Sequence, residues 1–453
     1  MRHGTIRSLR SVSIIVADLI GIICIIAMAF YWRIGSWPIL TDAELWLIVS
    51  TFFAVLFITG TYFRERSSNL PSLPIRTFFI CLVGGMLCIM WLYLLGPMSF
   101  NQYFGRGVLP ISTIAIGVYT TLTRFTINRL YHQQESGHRV LYLGFSESAN
   151  IFFAELKDHA EVREVAILCK QRPSNLPAAI AYLKASRFSD TLNQEWNSIV
   201  IDPNFRPTTS QQAHLVQVKL NGTNVGTLAD YYEKNWFQIP VFDIGNDWFL
   251  RSAGFTVLSS PASQRIKRML DVLLSSIVLF FSLPIVSLCA LAIRLESRGS
   301  VLYSQKRVGL NGQLFTIYKL RTMAISSNSE AKWAAADDPR VTRVGAFLRK
   351  SRLDELPQAW NVLKGEMSFI GPRPEQPEFT RWLAEEIPFY ELRHQVKPGI
   401  TGWAQVIFPY GASKEDAIKK LQYELYYIKH QSLLLDLNIL VRTFITVIQR
   451  SGR

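Results

Sequence analysis

The N-terminal part of the sequence contains four apolar runs that are long enough to cross a bilayer, since a helix needs about 20 apolar residues to do so. The runs are residues 12–32, 45–63, 77–97 and 108–127. Asp18 and Arg124 are the main polar residues within them. Charged residues make up only 18% of the chain, below the roughly 25% of soluble domains. The pattern argues against a disordered chain or a single soluble enzyme and predicts a four-helix transmembrane domain over residues 1–135.

Basic residues are distributed unevenly between the loops of this block. They precede the first run, fill the second loop and follow the fourth run, at Arg2, Arg7, Arg10, Arg64, Arg66, Arg76, Arg129 and Arg139. The first and third loops carry only Arg33 and Arg106. Because cytoplasmic loops are rich in Lys and Arg, both ends of the block are predicted to face the cytoplasm. The net charge of +14 indicates an anionic partner, and five cysteines without a CxxC spacing argue against a disulfide framework or a zinc site.

Residues 136–255 show a different pattern, in which short apolar runs alternate with helix-like stretches. The runs are Arg139–Gly144, Val165–Leu168, Ser198–Asp202 and Ile239–Asp243. Such alternation predicts βαβ units and a parallel sheet, and therefore a Rossmann-like α/β module. Only the first glycine of a GxGxxG fingerprint follows the first run, at Gly144. We therefore favour a regulatory or assembly module over a dinucleotide-binding domain.

A fifth apolar run extends from Val272 to Ile293 and contains Pro284. Basic residues flank it on both sides, so a full crossing would place a basic C-terminal block outside the cell. Proline removes a backbone donor and kinks a helix. We predict a re-entrant membrane helix over residues 268–294 that bends at Pro284 and returns to the same face; a kinked transmembrane helix is the alternative.

The C-terminal block contains the paired carboxylates Asp354 and Glu355, which follow a basic segment. Because proline is tolerated only in the first turn of a helix, a helix through Leu356–Leu363 should begin near Asp354, where free N–H groups and the helix dipole favour anions. A carboxylate beside phosphate-binding cations can attack phosphorus, and its neighbour can share a magnesium ion. The alternative is a structural capping box that starts at Ser351.

Two rigid loops add cations to this block. Gly371-Pro-Arg-Pro374 presents Arg373, which suits a phosphate or a uracil edge. Lys397-Pro-Gly-Ile-Thr-Gly402 presents Lys397. Either loop could be a structural turn, but their presence beside paired carboxylates favours a phosphate-handling site.

Residues 264–453 closely resemble the bacterial sugar transferase family, the monotopic polyprenyl-phosphate phosphoglycosyl transferases. The resemblance rests on an ordered set of motifs: Lys267-Arg-Met-Leu-Asp271, Lys319-Leu-Arg-Thr-Met323, Leu353-Asp-Glu-Leu-Pro-Gln358, Asn361-Val-Leu-Lys-Gly365, Gly371-Pro-Arg-Pro374 and Lys397–Val406. The four apolar runs and the α/β module are similar to the long form of this family, which primes exopolysaccharide, O-antigen or capsule assembly. The fold implied is a membrane α-helical bundle, a Rossmann-like module, and an α/β catalytic domain with a re-entrant helix and amphipathic interfacial helices.

The resemblance implies a ping-pong mechanism in which Asp354 attacks the β-phosphate of a UDP-sugar and releases UMP. Undecaprenyl phosphate would then accept the sugar phosphate from Asp354. Mg²⁺ is the implied cofactor, held by Asp354 and Glu355. The substrate-binding residues expected are Lys319, Arg321, Arg349, Arg373 and Lys397. Glu424 falls where relatives often carry Asp, and Ser282-Leu-Pro284 stands where many relatives have Ser-Pro.

The expected partners are a UDP-sugar, undecaprenyl phosphate and membrane lipid, but not nucleic acid, and the expected location is the bacterial inner membrane with a cytoplasmic catalytic domain. Association with a second copy or with other polysaccharide-assembly proteins stays open. The last helix, residues 433–450, carries a polar stripe of Asp436, Arg442, Thr443, Thr446 and Arg450. This stripe fits either an interfacial amphipathic helix or packing on the catalytic domain.

Two other function classes compete with this interpretation. A membrane-anchored nucleotide-sugar dehydratase should have an intact GxGxxG and a Tyr-x-x-x-Lys in one domain, and only Tyr410 to Lys414, outside the α/β module, has that spacing. A non-catalytic polysaccharide-assembly scaffold would tolerate the loss of Asp354.

Overall fold

A computed structural model of the chain shows two compact units, Met1–Trp236 and Phe237–Arg453. The residues that it describes are 2–39, 42–58, 61–62, 73–95, 107–132, 138–156, 162–255, 260–324, 340–408, 411 and 413–448.

Each of the four N-terminal apolar runs forms a helix. The helices are α1 (Arg2–Ile34), α2 (Ala43–Ile58), α3 (Leu73–Leu95) and α4 (Val108–His132). Within the described residues, Val12–Ile34 and Val108–Ile127 are long and apolar enough to cross a membrane, as is the later helix Pro261–Glu296. The apolar parts of α2 and α3 in that set are shorter, Ala43–Phe57 and Ile80–Trp91. The structure thus has several apolar helices, and the sidedness inferred from the basic loops stays a prediction.

The two polar residues of the apolar runs form a buried ion pair. Both Nη atoms of Arg124 in α4 donate to the carboxylate of Asp18 in α1, at 3.0 and 2.7 Å. Both side chains are fully buried. Arg124 also donates to the Thr61 hydroxyl at 3.2 Å, so the pair joins three parts of the bundle.

An α/β domain with a parallel sheet follows the helices, as the sequence predicted. Its strands are β1 (His138–Leu143), β2 (Val162–Cys169), β3 (Ala181–Lys184), β4 (Ser198–Ile201) and β5 (Asn224–Thr227). The order is β3-β2-β1-β4-β5, and every pairing is parallel. The main helices of this domain are α5 (Glu147–Leu156), α6 (Phe188–Leu192), α7 (Thr209–Leu220) and α8 (Leu228–Tyr231). The central strands β1, β2 and β4 are largely buried because they carry apolar residues on both faces.

One predicted strand of this domain is wrong. Ile239 and Val241 are fully buried, as an apolar run suggested, but Ile239–Asp243 forms an extended segment and a turn outside the sheet. Its residues lie in the second compact unit, which begins at Phe237. Strands β3 and β5 were missed because, unlike the equally short β4, they lack a continuous run of β-branched apolar residues: their sequences are Ala-Tyr-Leu-Lys and Asn-Val-Gly-Thr.

The second unit combines helices with two small sheets. Its helices are α9 (Asn246–Arg251), α10 (Pro261–Glu296), α11 (Arg343–Ser351), α12 (Gln358–Lys364), α13 (Pro377–Glu386), α14 (Trp403–Ile407), α15 (Lys414–His430) and α16 (Leu433–Ile448). Strands β6 (Leu302–Val308) and β7 (Leu314–Leu320) form an antiparallel hairpin. Strands β8 (Ser368–Ile370) and β9 (Gly399–Thr401) pair in parallel and bring the two rigid loops together.

The fifth apolar run forms the single helix α10, with Pro284 inside it. Both ends of α10 bind the same unit. Near its start, Arg268 donates to the carbonyls of Val362 and Leu363 at 2.6 and 2.7 Å. At its end, Glu296 accepts from the backbone N–H of Arg343 at 2.8 Å. The helix is not interrupted in secondary structure at Pro284, and the re-entrant path stays a prediction.

Within the described part of the chain, the polar stripe of α16 faces the rest of the second unit. Asp436 pairs with Lys267 at 2.6 Å, the buried Arg442 stacks over Trp403, and the Thr443 and Thr401 hydroxyls are 2.7 Å apart. Leu433 and Leu434 are about half exposed. Packing on the domain therefore explains the polar face; Arg450 lies outside the described residues.

Candidate active site

The paired carboxylates lie in a short turn between two helices. Helix α11 ends at Ser351, Arg352 takes the left-handed conformation at φ 54°, and Leu353–Glu355 form one turn of 3₁₀-helix. Helix α12 begins only at Gln358, later than predicted, with Pro357 at its N-cap. The Ser351 hydroxyl donates back to Phe347 at 2.8 Å, so the alternative of a capping box is wrong.

Glu355 is held by cations from three parts of the chain. Its Oε1 atom accepts from Lys319 Nζ at 2.9 Å and from Arg373 at 3.1 Å. Its Oε2 atom lies 3.8 Å from Arg352. Burial alone would raise the pKa of Glu355, but Lys319 and Arg373 outweigh it and hold that pKa well below the usual range. Glu355 is therefore ionised, and its Oε2 atom accepts no hydrogen bond from the described residues.

Asp354 is buried, with 9% of its surface exposed. Among the described residues, no group donates a hydrogen bond to its carboxylate. Burial and the adjacent charge of Glu355 raise its pKa, while Lys319, Arg349 and Arg373 oppose that rise. An oxygen close to three cations but bonded to none of them is suited to attack an electrophilic phosphorus.

Arg349 and Arg373 are each oriented by a further contact. Arg349 Nε donates to the Thr322 hydroxyl at 2.9 Å. The backbone carbonyl of Arg373 accepts from Arg393 at 2.9 Å. Arg393 forms a two-pronged pair with Glu424, at 2.9 and 2.8 Å, and both residues are buried. Glu424, a weak candidate from sequence, thus supports the Arg373 loop indirectly, through Arg393.

Three glycines let the two rigid loops meet backbone to backbone. A Cβ on Gly399 would lie 2.1 Å from the backbone nitrogen of Gly371, and one on Gly402 would lie 2.1 Å from the Gly371 carbonyl oxygen. The Gly371 N–H donates to Thr401 and the Gly399 N–H donates to Pro372, at 2.9 and 2.8 Å. The loops that carry Arg373 and Lys397 therefore form one rigid layer.

We expect Gly399→Ala to destabilise the second unit by about 1–3 kcal/mol, because backbone atoms cannot move away as a flexible side chain can. Gly312→Ala is the control: no atom lies within 4 Å of its Cβ position, so its only cost is the positive φ of 75°, which Gly399 does not have. Thermal unfolding in detergent should rank Gly399→Ala as the less stable variant, and equal stability of the two would contradict the argument.

Two of the predicted substrate-binding residues lie apart from the paired carboxylates. Arg321 donates to the carbonyls of Ser297 and Arg298 at 2.8 and 3.1 Å and fixes the end of α10. Lys397 reaches Gly365, at the opposite end of α12 from Asp354, beside Arg268. The structure therefore gathers Lys319, Arg349 and Arg373 at Asp354 and Glu355, and a substrate contact by Arg321 or Lys397 stays a prediction.

Sequence reasoning missed Arg393 and Thr322 as parts of this arrangement. Arg393 lies in a stretch without glycine or proline, so no turn pattern marked it. Thr322 lies within the Lys-Leu-Arg-Thr-Met motif, but only the cations of that motif were considered.

Comparisons with known proteins show the family of this chain. The model of the family described as bacterial sugar transferase matches residues 262–450. The UDP-glucose:undecaprenyl-phosphate glucose-1-phosphate transferase of Caulobacter vibrioides is 42% identical over 180 residues, which are 39% of this chain and 67% of that protein. The chain belongs to the bacterial sugar transferase family. It is accordingly a transferase by family.

Two further relatives of this sugar transferase differ in the sugar that their names give. The UDP-N-acetylgalactosamine-undecaprenyl-phosphate N-acetylgalactosaminephosphotransferase of Aeromonas hydrophila is 46% identical over 198 residues, 44% of this chain and 47% of that protein. The UDP-glucose:undecaprenyl-phosphate glucose-1-phosphate transferase of Escherichia coli is 40% identical over 187 residues, 41% of this chain and 40% of that protein. The chain thus spans less than half the length of these two relatives.

The donor atoms of the sugar transferase fit a magnesium ion that is completed by substrate. Within the described residues, no three His, Cys, Asp or Glu side chains gather as a metal site. Mg²⁺ commonly binds one or two carboxylates together with substrate phosphates and water. Asp354, which accepts no hydrogen bond from the described residues, and Oε2 of Glu355 supply such a pair.

Proposed function

We propose that the protein transfers a sugar 1-phosphate from a UDP-sugar to undecaprenyl phosphate through a covalent intermediate on Asp354. The observation that carries the proposal is the Asp354 carboxylate, buried beside Lys319, Arg349 and Arg373 yet without a hydrogen bond from any described residue. The names of the relatives support both substrate classes.

In the first step, an Asp354 oxygen bonds to the β-phosphorus of the donor, the bond from that phosphorus to the bridging oxygen breaks, and UMP leaves. Lys319, Arg349 and Arg373 offset the phosphate charge that would otherwise repel the carboxylate. In the second step, a phosphate oxygen of the lipid acceptor bonds to the same phosphorus and Asp354 is released. A magnesium ion held by Asp354 and Glu355 would add charge neutralisation.

An apolar cavity of about 370 Å³, lined in part by the two residues that follow Glu355 in the chain, supports a lipid acceptor. Ser282, Leu283 and Val286 of α10 line one side, and Leu356, Pro357 and Trp360 line another. Because Leu356 directly follows Glu355, an isoprenoid chain in this cavity would place its phosphate near Asp354. We propose that the first isoprene units bind here.

The remaining architecture fits the long form of the family. The sheet order β3-β2-β1-β4-β5 supports a Rossmann-like module. The four N-terminal helices support a transmembrane bundle, and the basic loops support a cytoplasmic catalytic unit at the bacterial inner membrane. In that location the reaction would prime exopolysaccharide, O-antigen or capsule assembly.

The test is UMP release by the full chain in detergent with undecaprenyl phosphate and Mg²⁺. The donor panel is UDP-glucose, UDP-galactose and their N-acetylated forms. We expect release from at least one donor, with formation of a lipid-linked sugar diphosphate. The dehydratase alternative predicts no UMP and a shift in sugar mass by one water, and the scaffold alternative predicts neither product.

A further inference from the structure

The second compact unit, Phe237–Arg453, holds the candidate active site and is called the catalytic unit below. Residues 237–255 belong to it although they precede the stretch that matches the family, residues 262–450. We call residues 237–255 the strap. Gln238, Ile239 and Val241 of the strap are almost completely buried. A segment buried to this degree is part of the fold of the unit and not a solvated linker.

The strap binds helix α15 through backbone and side-chain contacts. The Ile239 N–H donates to the Gln422 carbonyl at 3.0 Å, and Gln238 donates to the Tyr423 hydroxyl at 3.2 Å. At the other end of α15, the Lys429 ammonium lies 4.3 Å from the ring centre of Trp248.

Phe237 is a strained anchor at the start of the strap. Its φ of 56° is in the left-handed region, which bulky residues rarely adopt. Its carbonyl accepts from the Trp403 indole at 3.2 Å, and its ring meets those of Trp403 and Tyr426 edge to face. Strain of this kind persists where surrounding contacts fix the residue.

Helix α15, which the strap binds, is connected to Arg373 through a chain of contacts. Gln422 and Tyr423 immediately precede Glu424, which holds Arg393. Arg393 in turn donates to the carbonyl of Arg373, and the Arg373 side chain reaches Glu355. Trp403, the second partner of Phe237, follows Gly402, which packs on Gly371 of the same loop. The strap thus contacts residues adjacent in the chain to both supports of the Arg373 loop: Tyr423 beside Glu424, and Trp403 beside Gly402.

We propose that the strap positions Arg373 for the phosphates of the donor, and that Phe237 and Gln238 are its positioning residues. The inference rests on the proposed function, because it assigns Arg373 to the UDP-sugar. Loosening the strap would let α15 and Trp403 shift, so Arg373 would bind the donor less well while Asp354 stayed intact.

The first experiment compares steady-state kinetics of full-length variants with a donor that the wild type accepts. We expect Phe237→Ala to raise the donor KM about tenfold with a smaller loss of kcat, since Arg373 both binds the donor phosphates and offsets their charge in the first step. Phe237→Tyr keeps the aromatic ring, so its donor KM should equal that of the wild type. Leu250→Ala is the matched control, because Leu250 lies in the strap but is 88% exposed.

A double-mutant cycle with Arg373→Gln tests whether the strap acts through Arg373. In that background, Phe237→Ala should raise the donor KM no further. A second tenfold rise, or an unchanged KM for well-folded Phe237→Ala, overturns the proposal. Should Phe237→Ala fail to fold, Gln238→Ala replaces it in the same cycle under the same criteria.

Hydrogen exchange separates this inference from the proposed function. Phe237→Ala should speed exchange of the Gly371 and Gly399 amides, whose hydrogen bonds hold the Arg373 loop, and Leu250→Ala should not. Unchanged exchange overturns the inference whether or not the enzyme is active. Absence of UMP release by the wild type, with faster exchange in Phe237→Ala, would count against the proposed function alone.

Discussion

Asp354→Asn is expected to abolish UMP release from every UDP-sugar, by about 10⁴-fold or more, as removal of a covalent nucleophile does in other enzymes. Asn has the same shape but no anionic oxygen, so it cannot bond to phosphorus. The measurement is UMP release with and without undecaprenyl phosphate. Glu391→Gln is the control, because Glu391 is an exposed carboxylate of the same unit.

Mass spectrometry of the same variant tests the covalent intermediate directly. Wild-type protein treated with donor and quenched before acceptor is supplied should gain the mass of a sugar phosphate on the peptide that contains Asp354. Asp354→Asn should gain none. Turnover that persists in Asp354→Asn, or an unmodified Asp354 peptide in a wild type that turns over, would contradict a covalent intermediate at this position.

Asp18→Ala is expected to destabilise the N-terminal bundle by about 3–5 kcal/mol, because it leaves the charge of Arg124 buried without its partner. Arg124→Met should cost a similar amount. The double variant Asp18→Leu with Arg124→Met removes both charges and should recover most of the stability. Thermal unfolding of the detergent-solubilised protein measures all three.

The double variant decides whether the pair is what stabilises the bundle. If it is as unstable as Asp18→Ala, the loss reflects packing around these positions and not an unpaired charge. If Asp18→Ala alone is as stable as the wild type, water or lipid headgroups must reach Arg124, and its burial between the helices would be wrong.

Local patterns predicted much of this molecule correctly. The apolar runs from residue 12 to 127 form helices, and β1, β2 and β4 occur where short apolar runs stand. Helix and strand formation in these segments depends mainly on apolar periodicity and length, which the chain displays directly. The ordered motifs between Lys267 and Val406 identified the family before any geometry was known.

The prediction of a strand at Ile239–Asp243 was wrong because it rested on a short apolar run that shows burial but no strand periodicity. A strand and a strap can carry the same buried residues, because both must exclude water. They differ in the partners of their backbone groups, and the Ile239 N–H bonds to helix α15 instead of a neighbouring strand. Short apolar runs alone cannot distinguish these cases.

The basic residues of the candidate site also differ between what their sequence motifs predicted and what the fold does with them. In the sequence, the resemblance implied the same substrate-binding role for five basic residues of one block: Lys319, Arg321, Arg349, Arg373 and Lys397. Folding brings Lys319 and Arg373 onto Glu355, but it uses Arg321 to hold two carbonyls at the end of α10. Arg393, which no motif marked, orients Arg373.

The sequence by itself determined which segments are apolar enough for a membrane, that the short apolar runs at β1, β2 and β4 form a parallel sheet, and to which family the C-terminal block belongs, because these depend on residue types along one stretch of chain. Only the tertiary structure decided that Glu355 is neutralised by Lys319 and Arg373 while Asp354 accepts no hydrogen bond from the described residues. It also decided that Arg124 pairs with Asp18 and that the strap joins the catalytic unit. These features depend on contacts between residues far apart in the chain. There the spatial position of a charged side chain, and not its residue type, decides whether it forms an ion pair or stays available for a substrate.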